Sequence, residues 1–169
     1  GQVPNADGSS TVNDDDVPVE QGAKVSLFNI ADISSPQEIS SIVYPDAYTP
    51  VEFDYHALSV LTMADGSTRF AMPIERWVSQ TLVDQETQQK YDVWSNENEL
   101  AVLEVSTKQA DAQLTEVGRI KATYQDDKPV YASGWDDRAI IEQNNIYYIH
   151  GHQVWHGLWS DLTQVNGPY

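Results

Sequence analysis

The chain has 169 residues, with 26 Asp and Glu against 9 Lys and Arg, a formal charge of −17 at pH 7. Tracking a nucleic-acid backbone requires clustered Lys and Arg that release counterions, so this balance argues against a nucleic-acid partner. No run of 18 apolar residues offers a membrane span, the first residues lack the basic and apolar regions of a signal peptide, and the absence of cysteine removes disulfides, thiolate chemistry and Cys-ligated metals.

Residues 1–23 hold Gly, Pro, Asn, Ser and Asp without periodicity and read as an acidic loop. From Lys24 onward short β-type runs follow one another: KVSLFNI, ISSIVY, HALSVL, RFAMPI, ELAVLEVS, LTEVGRIKA, RAIIEQ, NIYYIHG and QVWHGLW. Runs of four to eight such residues between turn clusters predict an all-β fold. Asp65-Gly66 and Asn144-Asn145 supply the positive φ of tight hairpins. The stretch Val78 to Lys90, rich in Gln and Thr, has no sustained apolar stripe and is expected to be an excursion between strands.

The two halves repeat. Val25–Ile30 matches Leu100–Val105 at an offset of 75, Ile39 and Ile42 match Leu114 and Val117 at the same offset, Asp54–Leu58 matches Asp136–Ile140 at 82, and Arg69–Ile74 matches Ile146–Gly151 at 77. A four-strand antiparallel unit that recurs is the unit of a β-propeller blade. The expected architecture is a partial β-propeller in residues 24–169: about two four-stranded blades, near 39–105 and 114–159, plus an outer strand of a preceding blade at Lys24–Ile30. Propellers close with about four to eight blades. The remaining blades are therefore expected from a longer parent protein or from another chain, with residues 161–169 as a terminus after the last strand.

The stretch 26–46, with Leu27, Phe28, Asn29, Ile30, Asp32, Ser35 and Pro36, resembles a strand, Leu-Phe-Asp-Val, followed by Ser-Asp-Pro-x-x-Pro and a second strand; Asn29 stands where Asp is usual. Asp54-Tyr55-His56-Ala57-Leu58 and Asp137–Ile141 with Ile146–Ile149 are similar to two further patterns in the same order. Together these resemble the bacterial and archaeal secreted proteins with a C-terminal β-propeller domain distantly related to WD40 repeats. The resemblance spans about Gln21 to Trp159. It implies an extracellular, periplasmic or cell-surface location and a scaffold or binding role, and it carries over no catalytic residue.

Four groups of residues are candidate sites. His150, His152 and His156 share parity, so a straight strand would place three imidazoles on one face as a transition-metal set, whereas a turn at Gly151 would separate His150. Asp54 and His56 are expected to form a buried hydrogen-bonded brace. Asn5–Gly8 and Asn13 with Asp14, Asp15 and Asp16 offer oxygen ligands for calcium, without the full EF-hand pattern. Among the tryptophans, Trp155 and Trp159 share parity in the last strand and are expected between blades, while Trp77, Trp94 and Trp135 fall in or beside connections and are expected to form a binding face. No cofactor is required by this reading, and calcium is an ion it can accommodate. The expected function is non-enzymatic recognition of a protein or surface polysaccharide. The rivals are a metal-dependent enzyme built on the histidines, a propeller dehydrogenase with a cofactor over the central channel, and a calcium-stabilised module of a larger secreted protein.

Overall fold

The computed structural model describes residues 11–12, 18–19, 22–107, 111–123 and 133–169. Within the span expected as loop, β1 (Thr11–Val12) and β2 (Pro18–Val19) pair antiparallel. β3 (Gly22–Asn29) and β4 (Gln37–Pro45) form a hairpin. A larger sheet follows, in which β5 (Ala47–Tyr48) and β6 (Ser59–Thr62) lie along one edge of β7 (Thr68–Val83), with β8 (Lys90–Val105) and β9 (Leu114–Lys121) beyond it. The last sheet is a meander of β10 (Arg138–Glu142), β11 (Asn145–His150), β12 (Gln153–Leu158) and β13 (Asp161–Asn166). Between β5 and β6 the chain makes two short 3-10 turns, Pro50–Glu52 and Tyr55–Ala57, whose first N–H groups are capped by the side chains of Thr49 and Asp54. Among the described residues no helix is long and apolar enough to cross a membrane.

The repeat survives as hairpins: the segments related by 75 residues are β3–β4 and β8–β9, and the later pair are β6–β7 and β10–β11. The blade boundaries differ from expectation by one strand. Residues 39–45 pair with β3 and not with the strands after them, and 114–121 pair with β8 and not with β10. The four-stranded units therefore run from β6 to β9 and from β10 to β13. Local turn chemistry decides this. Asp32 accepts hydrogen bonds from the N–H and hydroxyl of Ser34 (3.0 and 2.6 Å), folding β4 back onto β3, and the Gln113 carbonyl accepts from the Ser106 N–H at 3.1 Å, closing β8 onto β9.

Three further expectations are corrected. Residues 78–90 are not an excursion but strand, because β7 and β8 each run 16 residues and pair out to Val83 and Lys90. Residues 161–166 are the fourth strand of the last sheet and not a tail; Asp161 accepts from the Thr163 N–H and hydroxyl (3.0 and 2.5 Å) just after the turn. In the β10–β11 turn Glu142 already pairs with Asn145, so Gln143 takes the positive φ of 51°.

The sheets stack face to face, and the middle one is covered on both sides. Ala71, Leu100, Val102 and Ile120 meet Ala139, Ile146, Tyr148, Trp155 and Trp159 of the last sheet. Met72, Ile74 and Ala101 meet Ala23, Tyr44 and Ala47, and Leu103, Val105 and Leu114 meet Val25 and Leu27. Burial on both faces explains why Leu100–Leu103 is a continuous apolar run, while the half-exposed β4 is mixed. Trp155 and Trp159 lie between the sheets as expected; the indole N–H of Trp159 donates to Glu104 at 3.0 Å, and the Arg69 guanidinium sits 4.7 Å above its ring.

Candidate recognition face

Beyond the edges of β6 and β9, the outer halves of β7 and β8 continue as a two-stranded ribbon. Its tip is closed by Asp84, which accepts from the N–H groups of Glu86 and Thr87 at 2.9 and 2.8 Å. Directly opposed residues share a face, and the register sets Trp77 against Asn96 and Ser79 against Trp94. The two indoles are therefore diagonal neighbours on one face, 44 % and 63 % exposed, flanked by Ser79, Thr81 and Asp92, with the Thr81 hydroxyl donating to Asp92 at 2.7 Å. The opposite face carries Val78, Leu82, Val93 and Tyr91.

Trp135 is tied to β7 through the residue before it. Parity along β7 places Ala71, Glu75 and Trp77 toward the last sheet, and buried Glu75 accepts the Gly134 N–H at 2.7 Å. One residue on, Trp135 is half exposed and stacks on Phe53, with ring centroids 5.3 Å apart and planes 27° off parallel. Tyr55 is exposed nearby in sequence. Of the three tryptophans singled out in the sequence, Trp77 and Trp94 thus share one face of the ribbon, while Trp135 lies in the turn before β10 and stacks on Phe53.

Beneath them is a buried polar seam that the sequence reading missed. Glu75 also accepts from the Asn96 amide. Asp137 accepts the Tyr148 hydroxyl at 2.5 Å and is bonded to His150 Nδ1 at 2.7 Å. A β-carbon on Gly134 would lie 2.7 Å from Asn98 Oδ1 and 3.2 Å from both Glu75 Oε2 and Asp137 Oδ2, so only glycine lets this loop reach the seam. The available signal was Asn96 and Asn98, polar side chains at inward positions just before an apolar run.

The histidines are not brought together. The hairpin turns at Gly151 (φ 58°) and His152, so His150 pairs with Gln153 while His156 pairs with Tyr147. Tyr147 and His150 point to opposite faces, which separates the two imidazoles across the sheet. His156 bonds the Asn145 side chain at 3.1 Å and packs against Tyr147, and His152 is exposed in the turn. Among the described residues no three His, Cys, Asp or Glu side chains form a metal-holding group. Asp14, Asp15 and Asp16 lie outside the described residues.

The Asp54–His56 brace forms, at 3.0 Å, but it is not buried: the His56 side chain is 66 % exposed. The His56 backbone N–H, ahead of the Arg138 charge, holds the Asp54 carboxyl below the ordinary range, and Arg138 bonds it at 2.6 Å, tying the 3-10 turns to β10. The buried Asp–His pair of this chain is Asp137 with His150.

Repeated four-strand sheets stacked face to face are the geometry of propeller blades. A family model described as a beta propeller domain matches residues 5–162. The chain belongs to the beta propeller domain family. No curated protein and no solved structure matches it. In propeller terms, β6–β9 and β10–β13 are two blades, β3–β4 is the outer half of another, and the tryptophan face stands at the edge of the seam between the two complete blades.

Proposed function

We propose that this propeller segment is a non-enzymatic, extracytoplasmic recognition scaffold that binds a surface polysaccharide through Trp77, Trp94 and Trp135. The observation carrying the reading is that Trp77 and Trp94 stand part-exposed on one face of the ribbon, with half-exposed Trp135 next in sequence to the Gly134 that bonds Glu75. Flat aromatic faces flanked by Ser79, Thr81 and Asp92 suit a ligand rich in both C–H and hydroxyl groups, and rigid strands lower the ordering needed on binding. The non-enzymatic reading is supported by the histidines, since His150 is held by Asp137 and His156 by Asn145. The extracytoplasmic reading is supported by the acidic charge and the resemblance to secreted proteins.

Native electrophoresis through gels containing dextran or hydroxyethylcellulose tests it. The wild-type chain should be retarded by at least one polymer, and Trp77→Ala with Trp94→Ala should weaken binding at least about 30-fold, as expected when hot-spot tryptophans worth about 2 kcal/mol or more are removed. Retardation unchanged in the double variant overturns the reading. Absence of retardation in the wild type would turn attention to a protein partner, which the apolar ribbon face of Val78, Leu82 and Val93 favours.

A further inference from the structure

In both complete blades the third strand is paired on each side: β8 with β7 and β9, β12 with β11 and β13. β3 holds the same position relative to β4, yet among the described residues its other edge is bare. Against that edge lie two adjoining cavities. One, of about 390 Å³, is lined by Val25, Leu27, Leu58, Phe70, Met72 and Leu103. The other, of about 650 Å³, continues along Phe28, Ile30, Val60 and Thr62. Phe28, Ile30 and Val60 are half or more exposed. An open strand edge beside apolar surface is a template for further strands.

We propose that this groove seats the chain's own β1–β2 hairpin, which supplies the inner two strands of the first blade. Three observations support that occupant over a foreign one. β1 and β2 already pair with each other, Thr11 with Val19 and Val12 with Pro18. Only two residues separate Val19 from Gly22, so the end of β2 lies within about 11 Å of the start of β3, and Gly22 at φ 125° permits the reversal. In the last blade β10 and β11 likewise directly precede β12, and the family match begins at residue 5, well before β3. Val12 and Val19 are the apolar residues of the two strands, one in each.

The chain lacks cysteine, so a single introduced thiol reports on one place. Val60 and Ile140 are 54 % and 53 % exposed in the described structure, so a bare groove predicts equal alkylation of Val60→Cys and Ile140→Cys by iodoacetamide. A seated hairpin predicts at least about tenfold slower reaction at position 60. That protection should vanish when residues 1–21 are removed, and also in the full-length chain carrying Val12→Asp and Val19→Asp, which serves if the shortened chain does not fold. Equal rates in the unaltered chain overturn the proposal, as does protection that persists in the Asp variant.

Discussion

At the scale of single residues, Gly134 and Trp77 show how differently two positions can be read from a sequence. Trp77 adjoins a stretch rich in Gln and Thr, which makes its exposure legible, although it lies within β7 and not in a connection. Gly134 resembles any loop glycine. Its role depends on Glu75 and Asn98, 59 and 36 positions earlier, converging on the same point. Gly134→Ala must push buried oxygens apart, and overpacking of this kind costs about 1 to 3 kcal/mol. Urea unfolding should show a fall in midpoint equal to that loss divided by an unchanged m-value, together with altered near-ultraviolet ellipticity from Trp135; an unchanged midpoint would mean that the loop yields without effort. The exposure of the Asp54–His56 brace has a related reason. Asp54-Tyr-His56 sits together in sequence, whereas Asp137 and His150 are joined only by the pairing of β10 with β11.

Hairpins are the unit at the next scale, and several of their connections carry the same device. Asp32, Asp65, Asp84 and Asp161 each accept hydrogen bonds from the second or third residue onward, led by the Ser34 hydroxyl, the Ser67 N–H, the Thr87 N–H and the Thr163 hydroxyl, and each carboxyl is held below its ordinary value of 3.8. A carboxyl depressed in the folded state contributes stability that is complete above its unfolded pKa and lost as the pH falls through the folded pKa. Melting temperature should therefore stay level on this account above about pH 5 and drop below about pH 4. Replacing all four with Asn, which keeps the turn acceptor but cannot titrate, should flatten that drop; an equally steep acid limb would show that other groups govern it. These turns also explain the misplaced blade boundaries. The repeat is visible because it lies in apolar strands, but its phase is set by which turns are short, and Asp161-Leu-Thr, which reads as the start of a tail, opens β13 just after the turn.

Across the whole molecule, stability resides in the two seams on either side of the middle blade, where the sequence was most transparent: only a strand covered on both faces reads Leu-Ala-Val-Leu without alternation. Trp155, buried against Tyr148 and the middle blade, is the largest fully buried side chain. Trp155→Ala should destabilise the chain by about 3 to 5 kcal/mol, read from the denaturation midpoint. A loss under 1 kcal/mol would indicate that the two complete blades do not depend on their shared core. The placement of the tryptophans belongs to this scale too. Each stands out on its own in the sequence, but the shared face of Trp77 and Trp94 follows from the register of β7 with β8, and the Gly134 N–H on Glu75 brings the Trp135 backbone close to β7.

The strand pair that runs from the blade into the ribbon is divided along its length. Its inner half is constrained by neighbours on both sides, while among the described residues its outer half pairs only with its partner strand. Substitutions between Val78 and Val93 can therefore change the chemistry displayed there without disturbing either seam, so diversification of binding and preservation of folding fall on different residues of the same two strands.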